Sequence, residues 1–415
     1  MLSNAQYQAL NRKLASGGTQ GILRWHHLAS GKWISEKNPG YPFFAVVFYA
    51  IGLLRLTPLF YGALACVGLY AGARKWLGGW SGTFAVWIFC FSGAAITFAW
   101  RGTMPSFTDA SLVAAGFGTL LWVMLSPEAT PRRRLVAGIA AFLAIEGAVF
   151  IRYTDVIELL VAVLAVVALA KASELSWRIV GSWLATVGLF ALMVLSFDQW
   201  AYGKGTSTGY SAGEITFSLS SFWPNLKGMP KDLTTSMPMW AVAMAAVIWI
   251  GARFWRRRSN SLEETRAAVT RDTTLGAVLA LGWLGLWLVY LNYSWTVSQV
   301  SGGPGGGGGL TVHVIRFYLP AIGLIALLCA WLLTRLARLM SWAVVAALAA
   351  CAVLSFASMA GGAGGAAGPG GAGPVGQHHA PPGTPPKGSK PPNGAPSGPG
   401  GVPAGVPPSG STSAG

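Results

Sequence analysis

The chain has 415 residues, of which 53% are hydrophobic and only 10% charged, and it carries a formal net charge of +16. That balance excludes an ordinary soluble domain. The four cysteines, Cys66, Cys90, Cys329 and Cys351, each sit alone in apolar sequence, without metal-ligand or disulfide spacing, and read as small buried hydrophobes. Nucleic acid is a poor partner for the positive charge, because the basic residues are scattered over short loops and form no stripe. In a polytopic membrane chain the same excess anchors loops at the cytoplasmic face and meets anionic lipid or phosphate.

In chain order, residues 1–40 are polar and mixed, with a short helix predicted over 6–15 that stops at Ser16-Gly17-Gly18. No cleavable signal peptide is read, since apolar sequence begins only near Tyr41. Asn38-Pro39-Gly40-Tyr41-Pro42 signals a turn, and the run that follows is short, with Arg55 and Pro58 interrupting it, so 42–54 reads as a partly inserted or interfacial helix. Candidate spans follow at 57–73, 80–99, 108–125, 135–151, 155–170, 177–197, 238–254, 273–293, 314–334 and 340–360. The fold class is therefore all-α, a polytopic membrane helical bundle of about ten spans. The 301–309 loop (SGGPGGGGG) reads as a flexible linker, and residues 361–415, almost entirely Gly, Pro, Ala and Ser, as a disordered tail containing His378 and His379.

Charge sets the orientation. One set of loops receives Arg74, Lys75, Arg132, Arg133, Arg134, Lys171, Arg178, the 253–271 loop, Arg335 and Arg338, and this side is predicted to be cytoplasmic. The opposite side then carries residues 100–107, the 152–154 turn, the long 198–237 loop and the 294–313 loop. The unusual polar residues gather on that outer side: Arg101, Asp109, Arg152, Tyr153, Asp155, Asp198, Lys204, Tyr210, Glu214 and Arg316.

The stretch Phe150-Ile151-Arg152-Tyr153-Thr154-Asp155-Val156-Ile157-Glu158, with Glu146 before it, places charge inside apolar sequence, where it is costly and usually functional. Arg152, Asp155 and Glu158 at i, i+3, i+6 are predicted to share one helix face. The competing reading is a helix pair whose turn lies at the membrane surface with ordinary interfacial charges. Asp109 reads equally as a first-turn acid favoured by the helix dipole and as a functional carboxylate. Arg316 reads as a phosphate ligand or a snorkelling anchor. Carboxylates beside cations suit transfer from a phosphate-bearing lipid, with a carboxylate as general base and Arg or Lys holding the phosphate. No cofactor is named by these residues, and no divalent-metal site is indicated.

Five stretches carry a family resemblance. Asn38-Pro39-Gly40-Tyr41-Pro42 resembles a P-P-G-Y-P turn. Met104-Pro105-Ser106-Phe107-Thr108-Asp109-Ala110 resembles an outer-loop segment ending in an Asp at a span start. Residues 147–155 (GAVFIRYTD) resemble a G-x-x-x-x-x-R-Y-T-N run, residues 202–210 (YGKGTSTGY) a Y-G-S-P-L-x-T-G-Y loop, and Arg316-Phe317-Tyr318-Leu319-Pro320 an R-Y-x-L-P start of a late span. In this order they resemble the GT-C superfamily of integral-membrane glycosyltransferases, near the dolichyl-phosphate-mannose–protein mannosyltransferase type (glycosyltransferase family 39), over about residues 5–335.

The resemblance implies a polyprenyl-phosphate-linked sugar donor and an envelope acceptor (protein, lipid or glycan), reacting with inversion at the outer face of the cell membrane. The catalytic base is expected at Asp109, or in an acid this chain does not contain, with Arg101, Arg152, Tyr153, Asp155, Glu158, Lys204, Tyr210 and Arg316 expected to bind substrate. The domain reading is 1–40 as a polar extracytoplasmic loop, 41–360 as the transmembrane glycosyltransferase-like domain and 361–415 as the tail. The family's usual acid follows a first span. Here Ser3-Asn4-Ala5-Gln6-Tyr7 takes that place with no span before residue 41, so the first span is expected to be missing. Two alternatives stand beside the transferase: a transporter or flippase for a lipid-linked or anionic substrate, and a truncated, non-catalytic family member.

Overall fold

A computed structural model describes residues 3–16, 25–27, 33–35, 39–100, 104–170, 173–205, 216–257, 263–294 and 312–365. All of them lie in one compact unit, Met1–Ala372, and a second unit, Gly373–Gly415, falls outside them. The 301–309 loop, Arg101, Tyr210, Glu214, His378 and His379 are likewise outside the described residues.

The fold is a helical membrane bundle. The helices are α1 (Asn4–Ser16), α2 (Gly40–Ala50), α3 (Thr57–Leu77), α4 (Ser81–Cys90), α5 (Gly93–Ala99), α6 (Ser106–Met124), α7 (Pro131–Ile151), α8 (Val156–Leu169), α9 (Trp177–Tyr202), α10 (Phe222–Ser236), α11 (Met239–Arg257), α12 (Glu263–Leu291), α13 (Val312–Tyr318), α14 (Ile322–Leu333) and α15 (Arg338–Gly365). Helices stand at each of the expected spans. Among the described residues six are long and apolar enough to cross a bilayer, or seven if α4 and α5, bent by 63° at their junction, form one broken span. The chain is therefore a multi-pass membrane protein.

Three features depart from the sequence reading. An antiparallel ribbon, β1 (Trp25–His27) paired with β2 (Trp33–Ser35), lies in the polar N-terminal region, with His26 opposite Ile34. The 198–237 segment is not simply a loop: α9 runs on to Tyr202, and α10 packs back through Asn225, whose Nδ2 donates to the carbonyls of Leu291 and Tyr293 at 2.8 and 3.1 Å. The last helix continues to Gly365, a turn beyond the expected start of the tail.

Local chemistry explains several boundaries. Thr130 caps α7, its hydroxyl accepting from the Arg133 amide, and Pro131 sits at the first helical position. Ser176 caps α9 by accepting from the Ile179 amide. Ser92 restarts the chain at the α4–α5 break by accepting from the Ala95 amide at 2.9 Å. Gly203 ends α9 in the left-handed region, at φ 78°, as a C-terminal glycine does.

Burial sorts the helices into centre and lipid-facing rim. Every residue of α14 is buried, as expected for a helix that is apolar all round. α6 is buried along nearly all its length. α9 is the opposite, with only 11% of its apolar window buried, and α2 exposes Phe43, Val46, Val47 and Tyr49. Small residues let α3 and α6 close on each other. A Cβ built on Gly68 would stand 2.7 Å from the Ala115 carbonyl, and one on Gly72 would overlap the Gly118 carbonyl. Close backbone approach through small residues substitutes, inside lipid, for the hydrophobic drive available in water.

Gly72→Val is expected to destabilise the bundle by about 1–3 kcal/mol, because the new side chain meets main-chain atoms that cannot rotate away. Thermal unfolding in detergent, against Gly181→Val at a position with open space, measures the difference.

Candidate functional site

The site forms where α6 begins, α7 ends and α8 starts. α7 stops at Ile151 because Arg152 turns extended (φ −142°, ψ 113°), and Tyr153–Asp155 makes a single 3-10 turn before α8. The turn expected at 152–154 between two spans is present, and it takes Arg152 off the helical face that i, i+3, i+6 spacing would have shared with Asp155 and Glu158. They converge nonetheless, because the turn folds back and the Asp155 amide donates to the Arg152 carbonyl at 3.0 Å.

Asp109 lies in the first turn of α6 and is fully buried. The Nε of Arg152 stands 3.1 Å from its Oδ2, so the first-turn position and the ion pair are both real and do not compete. The remaining guanidinium nitrogens are also engaged. Nη1 donates to the Arg316 carbonyl at 2.7 Å and Nη2 to the Ser106 hydroxyl at 2.8 Å. Phe317 lies under both arginines, 5.5 Å from Arg152 and 4.8 Å from Arg316 by ring centroid.

Two further acids complete the cluster. Asp155 and Glu158 are fully buried, Asp155 lies against the Asp109 carboxyl, and Glu158 is within electrostatic reach of both. Among the described residues three carboxyl groups thus gather around the Arg152 guanidinium. An excess of buried carboxylate over cation is strongly unfavourable unless protons or a further positive group make it up.

Around this centre the structure adds a polar rim. Tyr153 donates to Asp198 Oδ1 at 2.8 Å, tying the turn to α9. Burial first, then the neighbouring Asp198 carboxyl, pushes the Tyr153 phenol above its ordinary range, so it remains a donor. Thr154 and Tyr290 share a hydroxyl–hydroxyl bond of 2.6 Å, bringing in α12. Deeper along α7, Glu146 Oε1 accepts from Thr186 at 3.0 Å, so this acid serves the α7–α9 contact rather than the cluster.

Of the sequence-nominated residues, Asp109, Arg152, Asp155, Glu158 and the Arg316 main chain come together, with Tyr153 on the rim. Lys204 is exposed in the turn after α9 and makes no ion pair with the cluster among the described residues. Arg101 and Tyr210 lie outside the described residues. The sequence reading missed Ser106, Thr154 and Tyr290. Ser106 stood inside a quoted motif, but Tyr290 carried no signal beyond a polar tip near the end of an apolar run. No group of three or more His, Cys, Asp or Glu suited to a metal ion occurs among the described residues.

The described parts of the five resembling stretches lie at this end of the bundle. Gly40 packs so closely on Phe150 and Ile151 that a Cβ would overlap their main chain, and the Phe150 ring touches Phe197 at 6.3 Å. Phe197 in turn contacts Tyr202 at 6.2 Å, the start of the 202–210 stretch, while Arg152 joins the 104–110 and 316–320 stretches.

The fold and site define a multi-pass helical membrane protein with a buried arginine–carboxylate cluster at one end of its bundle. No family model and no curated protein matches the chain. Among solved structures, it is similar to ArnT from Cupriavidus metallidurans in the apo state, at 15% identity and a TM-score of 0.47, covering 82% of this chain and 56% of that one. The same protein bound to undecaprenyl phosphate is similar at 15% identity and a TM-score of 0.43, with the same coverage. The chain thus spans a little over half the length of the solved structures it matches.

Removing Arg152 alone should cost about 3–5 kcal/mol, since it leaves buried carboxyl groups without their cation. Combining Arg152→Met with Asp109→Asn should recover part of that loss. A double-mutant cycle by thermal unfolding measures the coupling; additive losses would refute it.

Proposed function

We propose that the protein transfers a sugar from a polyprenyl-phosphate-linked donor to an envelope acceptor at the extracytoplasmic face of the membrane. The observation that carries this reading is the convergence of four resembling stretches (38–42, 104–110, 147–155 and 316–320), separated by up to nearly 280 residues, on Arg152 and its surroundings. The orientation is supported by the basic residues Arg74, Lys75, Arg132, Arg133, Arg253, Arg335 and Arg338 near the opposite helix ends.

Arg152, with Arg316 beside it, receives the donor phosphate, for which a guanidinium offers a rigid bidentate fork. Asp109 is paired with Arg152. As the phosphate draws Arg152 away, the Asp109 carboxylate is left to accept the proton of the acceptor's nucleophilic group. That group bonds to the anomeric carbon from the face opposite the phosphate. The carbon–oxygen bond to phosphate breaks, its electron pair leaving on the polyprenyl phosphate, which the arginines stabilise. Asp155 and Glu158 pack their carboxyl groups beside Asp109 and Arg152, and Tyr153 fixes the turn against α9.

Purified protein reconstituted with a polyprenyl-phosphate sugar and candidate acceptors tests the reading by product formation. Asp109→Asn is expected to lower kcat by about 10²-fold or more with donor affinity retained. Arg316→Ala should abolish transfer with expression intact, and Arg152→Ala should weaken donor binding more than the chemical step. Full activity in Asp109→Asn would overturn its role. Substrate counterflow in vesicles without any transfer product would favour a transporter instead.

A further inference from the structure

A second polar site lies at the far end of the same helices. Asp109 and Leu125 stand sixteen residues apart on α6, about 24 Å along the axis. Arg271 and Tyr290 are separated by a similar length of α12. Around Leu125 and Arg271 the ends of α3, α6, α11 and α14 line, with α12, an open cavity of about 650 Å³. Trp76, Leu125, Arg253, Arg271, Asp272 and Arg335 are among its lining.

The charges in this cavity do not balance. Asp272 is already well served: Arg335 Nη2 stands 2.7 Å from its Oδ2, and Trp331 Nε1 donates to both carboxylate oxygens at 3.0 and 3.2 Å. Arg335 also lies over the Trp331 ring, 3.7 Å from its centroid, which fixes its position. Arg253 reaches Asp272 only at 3.8 Å, and Arg271 has no carboxylate partner among the described residues. Among the described residues this cavity therefore holds three guanidinium groups and one carboxylate. An independent observation points the same way: the indole Nε1 of Trp76, lining the cavity, is buried without a hydrogen-bond partner among the described residues. A buried donor left unmatched is costly, and an acceptor oxygen would satisfy it. Leu77, Leu125 and Leu275 supply apolar wall beside these donors.

We propose that this cavity binds a phosphate group through Arg253, Arg271 and the Trp76 indole, separately from the arginine–carboxylate cluster at the other end of the bundle. The phosphate comes either from the head of an anionic glycerophospholipid or from the free inorganic ion, and its chemistry at the site is the same. Guanidinium forks and an indole N–H are donors only, so they select acceptor-rich anions over zwitterionic heads.

The test uses the full chain in detergent. Native mass spectrometry reads retention of phosphatidylglycerol against phosphatidylcholine, and thermal unfolding reads the response to inorganic phosphate. Wild type is expected to prefer phosphatidylglycerol or to be stabilised by phosphate. Arg253→Gln/Arg271→Gln should lose about tenfold or more in affinity. Arg132→Gln/Arg133→Gln removes equal charge from exposed positions and should bind as wild type. Retention of phosphatidylglycerol in the presence of phosphate identifies the lipid, and phosphate stabilisation without lipid preference identifies the free ion. Arg271→Gln alone leaves the Arg335–Asp272–Trp331 contacts untouched and serves as the second variant should the double one fail to fold. Failure of wild type to respond to either probe would overturn the proposal, as would an equal loss in the Arg132/Arg133 control.

Discussion

The bundle is organised by the cost of holding Arg152 and Asp109 away from water. Inside apolar surroundings a guanidinium must have its donors met, and here an acid, a hydroxyl and a main-chain carbonyl meet them. Those three partners come from the start of α6 and from α13, so satisfying one side chain fixes three remote parts of the chain. Helix packing then has little freedom left. α6 must present its first turn to the α7–α8 junction, and α14 must follow α13 into the centre, where it is buried on all sides.

The same constraint explains why the turn after α7 is irregular. A continuous helix from α7 into α8 would have carried Arg152, Asp155 and Glu158 outward on one stripe. Breaking the helix at Arg152 costs intrahelical hydrogen bonds, some of which the 3-10 turn recovers, and lets the side chain reach across to Ser106 and Arg316. The chain accepts a locally poorer backbone in exchange for a fully coordinated cation.

Much of the architecture was legible because lipid imposes simple rules. Apolar runs of sufficient length mark the helices, and the misplaced charge at 146–158 marks the site. What stayed hidden depended on three-dimensional proximity. The turn at 152–154 was readable, but not that Arg152 reaches from it across to Ser106 and the Arg316 carbonyl. Tyr290 is unremarkable in sequence and becomes a partner of Thr154 only because α12 crosses the α7–α8 turn. Trp76 and Arg271 look like ordinary residues at helix ends, and the cavity they share arises from five helices meeting. The bend between α4 and α5 was likewise invisible, because a capping serine within an apolar run does not announce a change of direction.

The exposure of α9 has a consequence for how its sequence is free to change. This helix of 26 residues turns most of its surface outward, yet one stripe is pinned. Trp183 fits over Gly138, Thr186 holds Glu146, Phe190 meets Phe150, and Asp198 receives Tyr153. Natural variation along α9 should therefore be anisotropic. Substitutions among aliphatic residues can drift on the outward faces, while the stripe from Trp183 to Asp198 changes only together with its partners on α7 and the turn that follows it.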